Sequence, residues 1–394
     1  MEPFIISFWH DPPVELAHYQ ELADCGFTLA ASQAPTPQIG RQVLDLCQQV
    51  GIKAMVIDPR IRTDLPQQAG WEKVVRQVVA DYAGHPALWG YYLTDEPNLN
   101  QFENLARLHT LFRQLDSQAV PYINLFPNYA SCDQLGTVDY RQHVRSFVEM
   151  VQPLYLSYDH YAFFEDHEFP IYFENLEIIR QEALRAGIPF WNIILSCALF
   201  AYRDPTPADL RYGVYTTLAY GGKAMAYYTY WTADGYSFRD GPISTFGTRS
   251  EKFATMQQLN LEMQHLGPWL NKLISTKVSH WPDAPQGTTV LDGQGLVAGV
   301  SGGQFVIGEF QDDKGQPWLM VTNRDRYHSV WVMLKLRTQM TQIDEVARST
   351  GQLRPIARDG GTTAAAGLED GMTVQFWLAP ADGRLMQLSS PRAS

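Results

Sequence analysis

Up to about residue 273, short apolar runs alternate with stretches whose apolar residues recur every three or four positions. The runs predict strands at residues 4–8, 27–31, 54–58, 89–93, 121–125, 154–158, 190–195 and 224–228. The periodic stretches predict helices at 14–23, 39–50, 71–82, 102–115, 140–151, 172–186, 207–220 and 251–266. Strands of continuous apolar character need cover on both faces, so a helix after each one implies a parallel sheet. Eight such units close most simply into a (β/α)8 TIM barrel. Gly26, Gly51, Gly187 and Gly222 fall between a helix and the next strand, where a helix end often needs positive φ. Thr206-Pro207-Ala208-Asp209 reads as an N-cap, a proline at the first helical position and an acidic first turn. An open doubly wound sheet shares this periodicity, but no Gly-rich phosphate loop follows the first strand.

Beyond Leu273 the pattern shortens to alternating segments at 295–300, 304–310, 318–323, 330–336, 373–378 and 385–388. Turns such as Ser301-Gly302-Gly303 and Asp312-Asp313-Lys314-Gly315 separate them. The expected organisation is therefore a catalytic barrel over residues 1–273 and a small β-sandwich domain over 274–394. Ala364-Ala365-Ala366 falls in a Gly-rich loop without identifiable chemistry.

A length of 394 residues suits a large barrel plus a smaller unit. The net charge of -12 argues against nucleic acid or an anionic membrane surface as partner, since both require clustered Lys and Arg. Ten Trp and twenty Tyr supply flat apolar faces with polar rims, which suit sugar rings as well as large cores. Cys25, Cys47, Cys132 and Cys197 are widely spaced and read as free thiols. No apolar run reaches membrane length, and no secretory signal is present in the sequence as given. A soluble chain is expected, either cytoplasmic or exported with its signal removed.

Active sites of such barrels lie at the C-terminal ends of the strands. The fourth predicted strand ends in Thr94-Asp95-Glu96-Pro97 and the sixth in Tyr158-Asp159-His160-Tyr161, so apolar strands terminate in carboxylates twice. Glu96 is the candidate general acid, with Asp95 raising its proton affinity by like-charge repulsion. Asp159 is the candidate nucleophile or water-activating base, the choice depending on its separation from the acid. The other strand ends offer Trp9, Asp58, Asn124, His160, Tyr161, Tyr230 and Trp231 as substrate-binding residues, although Asp58 has an ion-pair reading as well. His10 and His160 lack any HxH or HExxH spacing, so neither a metal nor another cofactor is expected.

The Glu-Pro pair closing the fourth strand and the Trp of Tyr230-Trp231 after the eighth resemble the retaining (β/α)8 glycoside hydrolases that include β-galactosidases, β-glucanases and β-mannanases. That resemblance implies cleavage of O-glycosidic bonds in a carbohydrate substrate, with Glu96 as acid/base. Two departures accompany it. The family places Asn before the acid/base, where this chain has Asp95, and a Glu nucleophile at the end of the seventh strand, where residues 190–198 contain no carboxylate. The adjacent Asp95-Glu96 is also similar to the pair of substrate-assisted β-hexosaminidases, in which the substrate's acetamido group is the nucleophile. A carbohydrate-binding barrel without catalysis, and a lyase or metal-dependent hydrolase using Asp58, His10 and Asp159, are the remaining readings.

Overall fold

A computed structural model describes residues 4–235, 237–337, 342–356 and 372–389. The Ala364–Ala366 loop lies outside the described residues. Eight parallel strands occupy the first part of the chain: β1 Ile5–Phe8, β2 Leu29–Gln33, β3 Lys53–Ile57, β4 Leu88–Asp95, β5 Val120–Asn124, β6 Leu156–Asp159, β7 Phe190–Leu195 and β8 Ala224–Tyr228. They form two four-stranded sheets, ordered β2-β3-β4-β5 and β1-β8-β7-β6. At one seam between the sheets the Thr28 N–H donates to the Ile6 carbonyl at 3.0 Å; at the other the Leu125 N–H donates to the Ser157 carbonyl at 2.8 Å.

Side-chain alternation builds two apolar layers on these strands. Leu29, Ala31, Met55, Tyr122, Trp191 and Ala224 pack together on one face, with Trp89 and Tyr155 against them. Ala30, Ala54, Val56, Tyr91, Ile123 and Ile194 point the other way, into the large core shared with the helices. The β4 strand carries a register shift between Tyr92 and Thr94 against β5. Such a bulge re-aims the side chains beyond it, here those of Asp95 and Glu96. Gly90 is required nearby, since a Cβ there would stand 2.2 Å from the Val120 carbonyl oxygen.

Helices follow the strands largely as the periodicity predicts, including Trp71–Tyr82, Phe102–Leu115, Tyr140–Val151 and Tyr172–Ala186. Thr206 caps the helix Pro207–Ala219 in a reciprocal capping box with Asp209. The last helix of this part runs Glu251–Leu270, four residues past its predicted end. Pro268 lies in its final turn, where the missing N–H removes one helical hydrogen bond shortly before the helix ends.

The antiparallel part contains β9 Ile274–Trp281, β10 Val297–Ser301, β11 Phe305–Gln311, β12 Pro317–Asn323, β13 Val330–Leu336, β14 Gln342–Val346, β15 Leu353–Pro355, β16 Thr373–Leu378 and β17 Gly383–Ser389. They make a six-stranded sheet, β15-β14-β17-β12-β11-β9, and a three-stranded sheet, β10-β13-β16. A core including Ile307, Leu319, Val332 and Phe376 draws on both sheets. Strands β9, β14 and β15 were not expected from the sequence. In β9, Ser275, Ser279 and His280 are buried polar residues, so its alternation is invisible to a hydrophobicity reading. The larger sheet lies directly on the Pro207–Ala219 helix: a Cβ at Gly308 would come within 2.0 Å of the Ala219 carbonyl oxygen. The buried ion pair of Arg326 with Asp209, at 2.6 Å, ties the two parts together.

Candidate functional site

Three acids meet where β4, β5 and β6 end. Asp95 and Asn124 are register partners at the last position of β4 and β5. The Asn124 amide nitrogen donates to Asp95 Oδ1 at 3.0 Å and to Asp159 Oδ1 at 2.9 Å. The carbonyl end of the same side chain accepts from Ser157 Oγ at 2.9 Å, and Ser157 Oγ lies 2.6 Å from the Tyr122 hydroxyl. Glu96 adopts a left-handed conformation, φ 46°, and its N–H donates to the Asn124 carbonyl at 2.9 Å. One asparagine therefore contacts all three acidic residues. Among the described residues no lysine or arginine is paired with any of the three.

Each of these acids holds its proton more tightly than usual. Burial pushes Asp95 up to about 6, against the Asn124 hydrogen bond that pulls it down. Asp95 is exposed by surface area, yet the protein packed around its carboxyl group removes much of the bulk solvent that would stabilise its charge. Glu96 rises to about 7, through burial first and Asp95 second. Asp159, buried at 6% exposure, rises well above the carboxylate range through burial, then the charges of Glu96 and Asp95. Carboxyl groups whose charges act on one another in this way titrate as a unit.

Aromatic rings surround the acids. Tyr161 stacks on Tyr228 at 5.7 Å and meets Tyr202 edge-on at 5.5 Å. Trp9 meets Tyr92 edge-on at 5.6 Å. The Tyr202 hydroxyl donates to the Tyr129 hydroxyl at 3.3 Å, and the Asp159 charge acts on both phenols. His10 is held between Tyr228 and Phe238, and burial lowers its proton affinity. Asp11 accepts from the Gln33 N–H at 2.9 Å and is pushed up by burial to about 6.

Four residues expected to bind substrate have protein partners of their own. Asp58 is buried, and its carboxylate is bound by the Arg60 guanidinium at 2.7 Å and the Tyr82 hydroxyl at 2.8 Å, which makes it an ion-pair residue. Tyr230 is fully buried among Phe8 and Phe27. His160 is buried against Tyr129 and Tyr172, with Nδ1 on Asn175 Oδ1 at 3.0 Å; burial lowers it to about 4, so its ring is neutral. Trp231 stands edge-on to His18 at 5.1 Å, over the first helix, Leu16–Asp24. The eighth-strand aromatic on which the charges of all three acids act is Tyr228, which lies within the predicted strand and is not marked by any polar contrast. Tyr92 was hidden in the same way, whereas Tyr202 comes from a loop with no pattern. The seventh strand ends at Leu195, the Ser196-Cys197 that follows carries no carboxylate, and Ser196 Oγ donates to the Thr229 carbonyl.

A cavity of about 730 Å³ opens at the opposite ends of the strands, lined by Lys53, Trp89 and Tyr155 among others. It holds no cluster of acids like the one at the C-terminal ends. Among the described residues no group of three or more His, Cys, Asp and Glu is arranged to hold a metal ion. Nor is any helix among them long and apolar enough to cross a membrane.

No family model and no curated protein matches the sequence. Solved structures do resemble it. A glycoside hydrolase superposes over 99% of this chain and 93% of its own with a TM-score of 0.61 at 10% identity. A glycoside hydrolase family 5 protein from Bacteroides vulgatus superposes over 99% and 89% with a TM-score of 0.60 at 12% identity. A β-galactosidase from the psychrophilic Marinomonas ef1 superposes over 68% of this chain with a TM-score of 0.53 at 9% identity, and the match spans 60% of that enzyme's length. At these identities the likeness is one of fold, and the fold is glycosidase-like.

Proposed function

We propose that this protein is a glycoside hydrolase acting on an oligo- or polysaccharide, with a closed (β/α)8 barrel in residues 1–273 and an accessory β-domain in 274–394. The observation that carries the reading is the cluster of Asp95, Glu96 and Asp159, three acids of raised proton affinity at neighbouring strand ends. The hydrogen bonds across both seams and the glycosidase-like fold support it.

Breaking a glycosidic bond needs one carboxyl group that donates a proton and one that is charged. Glu96 and Asp159 share one proton between the pH at which the first is lost and the pH at which the second is lost, which supplies that state. In the reactive form the shared proton resides on Glu96 and Asp159 is charged, and Glu96 transfers that proton to the glycosidic oxygen as the bond from the anomeric carbon breaks. Positive charge then develops on the sugar ring, and it favours the ionised form of Asp159, which attacks the anomeric carbon or activates water. Asp95 keeps Glu96 protonated through its charge, while Tyr161, Tyr228 and Trp9 offer faces for sugar rings.

The test is hydrolysis of a panel of natural glycans by wild type and Glu96→Gln. Turnover by the wild type and a loss of about 10³-fold or more in the variant, with sugar binding retained, is expected. Equal rates in the two proteins would overturn the assignment, and binding without turnover in both would leave a carbohydrate-binding protein. A second reading has one observation in its favour: Asp95 is open to water, whereas Asp159 is buried. Asp95 could then orient a substrate acetamido group, and cleavage confined to N-acetylated sugars would select that mechanism.

A further inference from the structure

We propose that Asn124 is a positioning residue that binds Asp95 and Asp159 through the two hydrogens of one amide nitrogen, fixing their separation and leaving Glu96 as the acid that gives up its proton. The inference rests on the glycosidase reading for its consequence in catalysis, but not for its geometry.

One orientation of the Asn124 amide gives every group in this network a complementary partner. Asn124 Nδ2 carries two hydrogens, and two carboxylate oxygens receive them at 3.0 and 2.9 Å. Ser157 Oγ gives its one hydrogen to Asn124 Oδ1, so the 2.6 Å contact with Tyr122 is donated by the phenol. Donation therefore runs from Tyr122 to Ser157, to Asn124, and ends on Asp95 and Asp159. Turning the amide over would aim its carbonyl oxygen at two carboxylates and its NH₂ at the Ser157 hydroxyl. The arrangement observed favours the charged forms of both aspartates. Glu96, in contrast, receives no side-chain hydrogen bond among the described residues, and only its backbone is tied to Asn124.

Geometry follows from the same nitrogen. The two N–H bonds of a planar amide diverge by about 120°, so acceptors held at these distances sit about 5 Å apart. Asn124 also sits at a seam, with Asp95 on the neighbouring strand of its own sheet and Asp159 at the facing edge of the other. The titratable groups that interact electrostatically with Asp159 are Asp95 and Glu96 from the end of β4, Tyr122 from β5, Tyr129 from the loop after β5, Tyr140 from the helix Tyr140–Val151, Tyr158 from β6, Tyr161 after β6, Tyr202 after β7 and Tyr228 from β8. All the tyrosines have proton affinities raised by burial and stay neutral across the working range. Only the three acids exchange protons.

Two variants test this. Asn124→Leu removes both donors at nearly constant volume, and Ser157→Ala removes the hydroxyl that fixes the amide's orientation while leaving Asn124 in place; Ser157→Thr restores it. The carboxyl titrations of the substrate-free proteins are followed by ¹³C NMR, and kcat/KM is followed against pH. In Asn124→Leu the last carboxyl of the cluster should titrate at higher pH, kcat/KM should fall at least tenfold, and its alkaline limb should move to higher pH. Ser157→Ala should show smaller changes of the same sign, reversed in Ser157→Thr. Unchanged carboxyl titrations in both folded variants would overturn the proposal, even with the glycosidase reading intact. Absence of hydrolysis by the wild type would count against the glycosidase reading alone, because the titrations report on the Asn124 bonds without substrate. If Asn124→Leu does not fold, the Ser157 pair decides.

Discussion

The backbone N–H of Glu96 donates to the carbonyl oxygen of Asn124 at 2.9 Å, which holds a glutamate in the left-handed region at φ 46°. Such a conformation costs a non-glycine residue roughly 1 kcal/mol. The fold thus accepts backbone strain and a poorly solvated acid at the same position, a combination expected where a side chain is placed for chemistry.

Stability should therefore rise when Glu96 is neutralised. Its proton affinity is raised from 4.5 to about 7, so its favourable contribution is full below 4.5 and is lost as pH rises through 7. At pH 8, Glu96→Gln is expected to be more stable than wild type by roughly 1 to 3 kcal/mol, with the difference vanishing near pH 4. Paired denaturant titrations at the two pH values measure it; a variant less stable at pH 8 would contradict the burial of an uncompensated acid.

Activity should have its optimum on the alkaline side of neutrality. The coupled pair of Glu96 and Asp159 loses its first proton near 7 and its last at higher pH, because burial and the repulsion between the two charges raise both groups. A plot of kcat/KM against pH is expected to rise through about 7 and to fall again at higher pH. An optimum near pH 5 would show that the acids are better solvated than this packing allows.

Asp159→Ala should lose activity by about 10³-fold or more. If Asp159 is the nucleophile, added azide restores turnover and gives a glycosyl azide of inverted anomeric configuration, because the small anion attacks from the vacated side. Restoration without inversion would exclude that role. Product analysis by proton NMR separates the outcomes.

Asp58→Asn should act on folding and not on the reaction. Asp58 is held below the usual carboxylate range by its hydrogen bonds to Arg60 and Tyr82, opposed by burial, so it contributes stability above pH 3.8 that is lost on further acidification. Removing its charge weakens the bond to Arg60, which keeps Asp81 at 2.8 Å, and is expected to cost about 1 to 2 kcal/mol at pH 7. The folded variant should keep kcat within about threefold of wild type; a much larger loss would return Asp58 to the site.

Alternation of apolar strands and amphipathic helices determined the eight parallel strands, because burying both faces of a strand leaves a signature in composition that survives without tertiary information. It also placed Glu96, Asp159 and Asn124 at strand ends, since the polar residue that closes an apolar run is visible by contrast. The sequence could not tell which strand-end residues face one another. Asp58 and Asp159 look alike as letters, yet one is bound by Arg60 and the other shares an amide with Asp95. Tyr228 and Trp231 stand three positions apart, and only the path of the chain beyond β8 put the first beside the acids and the second over a helix. The buried serines and histidine of β9 hid that strand, because their cover comes from residues far away in the chain. Local patterns record whether a side chain is buried, while proton affinity and hydrogen-bond partners depend on residues brought together across sheets, and those only the tertiary structure decided.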